Sequence, residues 1–199
     1  MLATEKEKLK ERMGRYISLG ITENGECRSS YWIPWEHTIS AMNMKLPNVY
    51  LSKDDLKDAE IFSQLSQCHV IGCYIFTPLE NYDVLAQFHE LRDLAILSAE
   101  HLTSLSFLHG VEDLAMLYLE NAHIQDLDAA FPPGKLYPIC HRCLGLYHCE
   151  VDHPEAIFSD NLFFSELLLW KPVLNQEEKQ LWKKARAHTF RYYITGNDT

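Results

Sequence analysis

The sequence predicts an α/β repeat fold in which short strands recur at a near-regular period and are joined by short helices and loops. Three observations carry that prediction. FHELRDLAIL (88–97) aligns with LHGVEDLAML (108–117) at an offset of 20 residues. One apolar frame returns six times along the chain. Both ends depart from that frame, as they must where a terminal repeat has a face without a neighbour.

The composition admits such a fold and narrows its use. The chain has 199 residues, 47% hydrophobic and 12% aromatic, enough to bury the core of one domain or one capped array. Its formal net charge of −10 opposes phosphate backbones and anionic lipid, so nucleic acid and membrane surfaces are not expected partners. MLATEKEKLKERMGRY at the start is charged where a secretory signal would be apolar, and no run of 18 apolar residues occurs. Six cysteines in a chain of this length suit reduced thiols, and a cytoplasmic location is the expectation.

The frame is an apolar triple at its first, fourth and sixth positions. It is filled by Leu46, Val49, Leu51, then Val70, Cys73, Ile75, then Leu91, Leu94, Ile96, then Val111, Leu114, Met116. His141, Leu144, Leu146 and Phe164, Leu167, Leu169 continue it. The fourth positions lie 24, 21, 20, 30 and 23 residues apart, and the longest interval holds Pro132-Pro133-Gly134, a natural loop extension. Between strands, Ser52 to Asp55 begins like a capping box before a stripe of Leu56, Ala59, Phe62 and Leu65. Asn81 to Leu91 places Val84, Leu85, Phe88 and Leu91 on one face.

This L-x-x-L-x-L frame resembles the leucine-rich repeat, whose full form continues x-x-N/C-x-L with a period of about 20 to 29 residues. The asparagine position departs from that family: it holds Asp54, Pro78, Ala99, Leu119, Cys149 and Pro172, of which only Cys149 fits. The resemblance is therefore to a divergent, bacterial-type or short array. It implies a solenoid with a curved parallel β-sheet on the concave side and short helices and irregular loops on the convex side. It also implies recognition of proteins without a cofactor.

The chain divides into three segments. Residues 1–45 form an N-terminal cap, with an amphipathic helix opened by Thr4 and Glu7 and striped by Leu9, Met13 and Tyr16, then a hairpin turning at Asn24-Gly25. Residues 46–174 form about six repeats. Residues 175–199 form a C-terminal capping helix and tail, started by Asn175 and Glu178, with Leu181, Trp182, Ala185 and Thr189 over the last repeat. The aromatic run Tyr31 to Trp35 reads as cap packing.

Alternation along a strand turns the positions between the core leucines to the concave surface. The third column is acidic through Asp93, Asp113 and Glu166, with Cys143 beside them. The fifth holds Tyr50, Tyr74, Ala95, Ala115, Gly145 and Leu168. The seventh runs Phe76, Leu97, Leu117, Tyr147, Trp170, and the eighth includes Tyr118 and His148. The expected partner-binding residues are thus Tyr50, Tyr74, Phe76, Asp93, Leu97, Asp113, Leu117, Tyr118, Tyr147, His148, Leu168 and Trp170, since exposed aromatic stripes mark interfaces.

CHRCLGLYHCEVDH (140–153) also carries zinc-ligand chemistry. In the repeat frame Cys143 and Cys149 face opposite sides of the strand, which leaves Cys140, Cys143, His148 and His153 as the candidates for a zinc-stabilised module. No nucleotide, hydrolase or metalloprotease signature occurs. The leading expectation is a non-enzymatic protein-binding module with no cofactor and a protein partner on the concave face. Alternatives are an inhibitor or immunity-type protein neutralising a basic partner, the zinc module, and an enzyme without a known motif. The sequence is silent on oligomeric state.

Overall fold

The computed structural model describes residues 5–26, 46–132, 142–158, 162–171 and 175–194. After a helix at Glu5–Lys10, strand β1 covers Tyr16–Thr22, β2 Asn48–Ser52, β3 His69–Ile75 and β4 Asp93–Ile96. Then come β5 Met116–Glu120, β6 His123–Ile124, β7 Cys143–Tyr147, β8 Glu150–Val151, β9 Phe164–Lys171 and β10 Ala187–Ile194. Helices at Ala59–Leu65 and Gln176–Trp182 sit between strands.

The fold is α/β. Eight strands form one sheet in the order β10-β9-β7-β5-β4-β3-β1-β2, and each neighbouring pair runs parallel. Parallel neighbours cannot be joined by a tight turn, so each connection must travel back along the sheet. Short 3-10 turns at Asp83–Gln87, Ser106–Leu108, Leu127–Ala129 and Pro154–Ile157 do this, and they lay Leu85, Phe107, Leu127 and Ile157 against one sheet face. That face supplies Ile75, Leu94, Leu117, Leu144 and Leu167, all 0% exposed. β6 and β8 lie within the connections and pair with each other, so neighbouring connections are themselves cross-linked.

The intervening residues build a second apolar cluster on the opposite face, containing Tyr74, Ala95, Met116, Tyr118, Cys143 and Leu168. A sheet buried on both faces reads as a continuous apolar run, which is why MLYLE and CLGLY show no polar alternation.

Register corrects the expected frame in the fourth repeat, at β5. Leu94 lies beside Leu117, and Leu117 beside Leu144. The core triple there is Leu114, Leu117, Leu119, three positions beyond Val111, Leu114, Met116. A slip by an odd number exchanges the faces, so Leu117 moves from the expected binding stripe into the core. VEDLAMLYLE is apolar in either frame, and only the neighbours decide between them.

The ends differ as well. β1 lies between β2 and β3 with both edges paired in parallel, so no edge is left for the hairpin expected at Asn24-Gly25. Ile17, Leu19 and Ile21 join the common core. Glu23 beyond β1 takes Lys53 Nζ at 2.8 Å and the Thr77 hydroxyl at 2.6 Å, fastening β1 to the residues just past the ends of β2 and β3. Of the expected N-terminal stripe only Leu9 is buried, whereas Met13 is 38% and Tyr16 51% exposed.

The capping box at Asn175 is present, with Asn175 Oδ1 accepting from Glu178 N–H at 2.9 Å and the Glu178 carboxylate accepting from Asn175 N–H at 2.9 Å. The helix ends at Trp182, and Thr189 belongs to β10, an eighth strand of the sheet where a capping helix and tail were expected. Ser52 and Asp55 also exchange hydrogen bonds, at 2.8 and 3.2 Å, but they open a 3-10 turn. The following helix is capped by Asp58 and buries Ile61 and Leu65, leaving Phe62 38% exposed.

Truncating a fully buried leucine leaves a cavity. Leu117→Ala is expected to cost about 2 to 5 kcal/mol in urea unfolding, which a residue on an exposed stripe would not.

Candidate functional site

The outer sheet face is built on alternating side-chain size. Across it lie Tyr50, Gly20, Tyr74, Ala95, Tyr118, Gly145 and Leu168, in register from β2 to β9. Small residues make room for the rings beside them. A Cβ at Gly20 would stand 2.6 Å from Cδ1 and from Cε1 of Tyr50, so that ring lies across the glycine.

The expected binding residues separate by depth. Tyr74, Asp93, Tyr118 and Leu168 are buried on this face at 5%, 0%, 1% and 2% exposure. Tyr74 Oη has no hydrogen-bond partner among the described residues, and its hydroxyl is held protonated by burial first and by nearby Asp93 second. Tyr50, Phe76, Leu97, Tyr147 and Trp170 are half-buried, and His148 is exposed. Asp113 stands outside the column expected for it. It precedes β5, and its two carboxylate oxygens take Arg92 Nη2 and buried Arg142 Nη2, each at 3.3 Å. Its position in the third column belongs to Met116, in register with Asp93 and Cys143.

The same correction puts Glu120, which the repeat frame did not single out, into the seventh column. Phe76, Leu97, Glu120, Tyr147 and Trp170 then form one row at the C-terminal ends of consecutive strands. Tyr147 and Trp170 rings are 6.2 Å apart and tilted by 47°, and Tyr118 meets Trp170 edge-on at 6.2 Å. His148 stacks on Tyr147 at 4.4 Å. Two of these strands leave the sheet through a left-handed residue, Asn121 at φ 59° and His148 at φ 52°, residue types that tolerate it. Their N–H groups donate to Tyr147 O at 2.9 Å and Trp170 O at 2.8 Å, which fixes each turn against the next strand.

Glu120 is the chemical centre of the row. Its Oε1 accepts the Tyr118 hydroxyl at 2.6 Å. Burial raises its carboxyl above the usual range, against smaller lowering contributions from that hydrogen bond and from nearby His148.

The cysteines and histidines of residues 140–153 disperse. Cys143 lies in the outer cluster, whereas Cys149 is 1% exposed in the main core, with its thiol 3.3 Å from Leu119 O. His153 is exposed beside Glu155 at 3.2 Å, and Cys140 falls outside the described residues. Burial pushes the Cys73 thiol up to about 12 and Cys149 to about 11, away from the lowered values of nucleophilic thiolates. At the opposite strand ends a cleft of about 350 Å³ is lined by Tyr16, Ile71, His89, Glu90, Arg92, Glu112 and Asp113. Within it Arg92 pairs with Asp113 at 3.3 Å and Glu90 with His69 at 2.7 Å.

This geometry makes two outcomes measurable. Gly20→Ala is expected to cost about 1 to 3 kcal/mol by overpacking against Tyr50, and a smaller part of that in a Tyr50→Ala background, measured by denaturant unfolding. Glu120 has a folded pKa above its unfolded value, so its favourable contribution is complete below the unfolded pKa and is lost as pH rises through the folded one. Glu120→Gln should therefore raise the melting temperature at pH 7.5, and that gain should vanish near pH 4. A gain independent of pH would contradict the assignment.

Comparison with family models, with curated proteins and with solved structures returned no match.

Proposed function

We propose that the chain is a non-enzymatic protein-binding module of the leucine-rich-repeat type. Its partner docks on the outer sheet face along Phe76, Leu97, Glu120, Tyr147 and Trp170. The observation that carries this reading is the row itself. Four large apolar side chains stay half-buried, side by side at the strand ends, on the face opposite the described connections. Solitary surface apolar residues need no explanation, whereas a row of large apolar side chains, three of them aromatic, has the character of the anchors that dominate protein interfaces.

The repeat reading is supported by the inner column, in which one apolar residue per strand follows its neighbour from Val49 through Leu19, Cys73, Leu94, Leu117 and Leu144 to Leu167. The proposed module works without a cofactor. No helix of the described residues is long and apolar enough to cross a membrane.

Capture experiments from native lysate test the surface. Proteins retained by the wild-type chain and by a Phe62→Glu control should be lost from a Tyr147→Glu, Trp170→Glu chain whose unfolding transition remains cooperative. Retention of the same proteins by that chain would move the interface elsewhere.

A further inference from the structure

The row at the strand ends is apolar except at one place. Glu120 lies between Leu97 on one side and Tyr147 on the other, and Trp170 comes next after Tyr147. Its carboxylate is half-buried and accepts one hydrogen bond, from the neutral Tyr118 hydroxyl. It forms no ion pair with any described residue. Withdrawing a carboxylate from water is unfavourable, and its raised pKa expresses that cost, which the Tyr118 hydrogen bond and nearby His148 offset only in part. Glu100 lies near enough to add to the negative potential there. Three other acids of the fold are matched: Asp113 by two arginines, Glu23 by Lys53, Glu166 by Arg191 at 3.8 Å.

Resting on the binding surface already proposed, we propose that Glu120 receives a cationic side chain, arginine or lysine, from the protein partner. Tyr147 and, beyond it, Trp170 border the cation on one side. The chemistry of the three groups agrees. A cation seated on a carboxylate gains a charge-assisted hydrogen bond, and the same cation over an indole or phenol ring gains from the ring quadrupole, the more so once water is excluded. The arginine or lysine stem covers the apolar neighbours, since long basic side chains bury their methylenes while the head finds its charge. The formal net charge of −10 adds a long-range attraction for a basic surface. His148 stacks on Tyr147 and lies near Glu120, so it borders the seat, and the cation enters from the Trp170 side.

The test uses the full chain and four defined probes: N-acetyl-arginine amide, N-acetyl-lysine amide, and the neutral citrulline and norleucine counterparts. Amide chemical shifts are followed in titrations up to about 100 mM, where weak single-residue contacts still register. The two cationic probes should give saturable shifts confined to Glu120, Tyr147 and Trp170, with the neutral probes at least about tenfold weaker. Glu120→Gln, which keeps an acceptor for Tyr118 and is checked by thermal melting, should weaken the cationic probes about tenfold. Absence of localised shifts, equal response to citrulline, or unchanged affinity in Glu120→Gln would each overturn the assignment. Lysate capture separates this inference from the surface on which it rests. Proteins lost on Tyr147→Glu, Trp170→Glu but kept by Glu120→Gln would leave the docking surface standing and remove the cation seat.

Discussion

The column of apolar residues on the inner face of the sheet is the constraint on which the rest of the molecule depends. Val49, Leu19, Cys73, Leu94, Leu117, Leu144 and Leu167 lie in register across seven parallel strands. Burying a leucine or valine side chain is worth about 1.5 to 3 kcal/mol, and no single connection could shelter one alone. Each strand therefore needs its neighbours, and each connection must come back over the same face. The short 3-10 turns answer that demand, because they set residues such as Leu85 and Leu127 onto the column within little chain.

Once the inner column is set, the outer face is set with it, since alternate residues have nowhere else to go. On that face tyrosines sit beside glycine or alanine, and the Tyr50 ring lies over Gly20. The deep part of the face is a second core. Toward the C-terminal strand ends a row of large side chains reaches the surface, and there Glu120 interrupts the apolar row. A carboxylate half-buried in such a place has its pKa raised by burial, which lowers stability at neutral pH. The placing of a carboxylate beside the Tyr147 and Trp170 rings joins the architecture to the proposed recognition of a basic side chain.

Much of this was legible in the chain. The strand-forming runs, their inner positions and the Asn175 capping box are local properties that come from spacing and side-chain type. Phe76, Leu97, Tyr147 and Trp170 could be assigned to one row because the repeat frame places them in its seventh column and the register of their strands keeps them there. Leu117 and Glu120 could not. VEDLAMLYLE supports two frames, and the likeness of 108–117 to 88–97 favours the wrong one. That likeness is a resemblance between chain segments, whereas register is a relation between neighbouring strands. The alternating Phe190 and Tyr192 of β10 carried a strand signal that the adjacent helix pattern obscured.

The sequence by itself determined that short strands recur, which of their residues are apolar, and where two helices start, because propensity, capping and periodicity act over a few neighbouring residues. Only the tertiary structure decided that β1 enters between β2 and β3, that β10 closes the far edge, and that Glu120 replaces Leu117 in the outer row. Those choices rest on which strand edges remain free and which slip buries the most apolar surface, and both are settled between segments far apart in the chain.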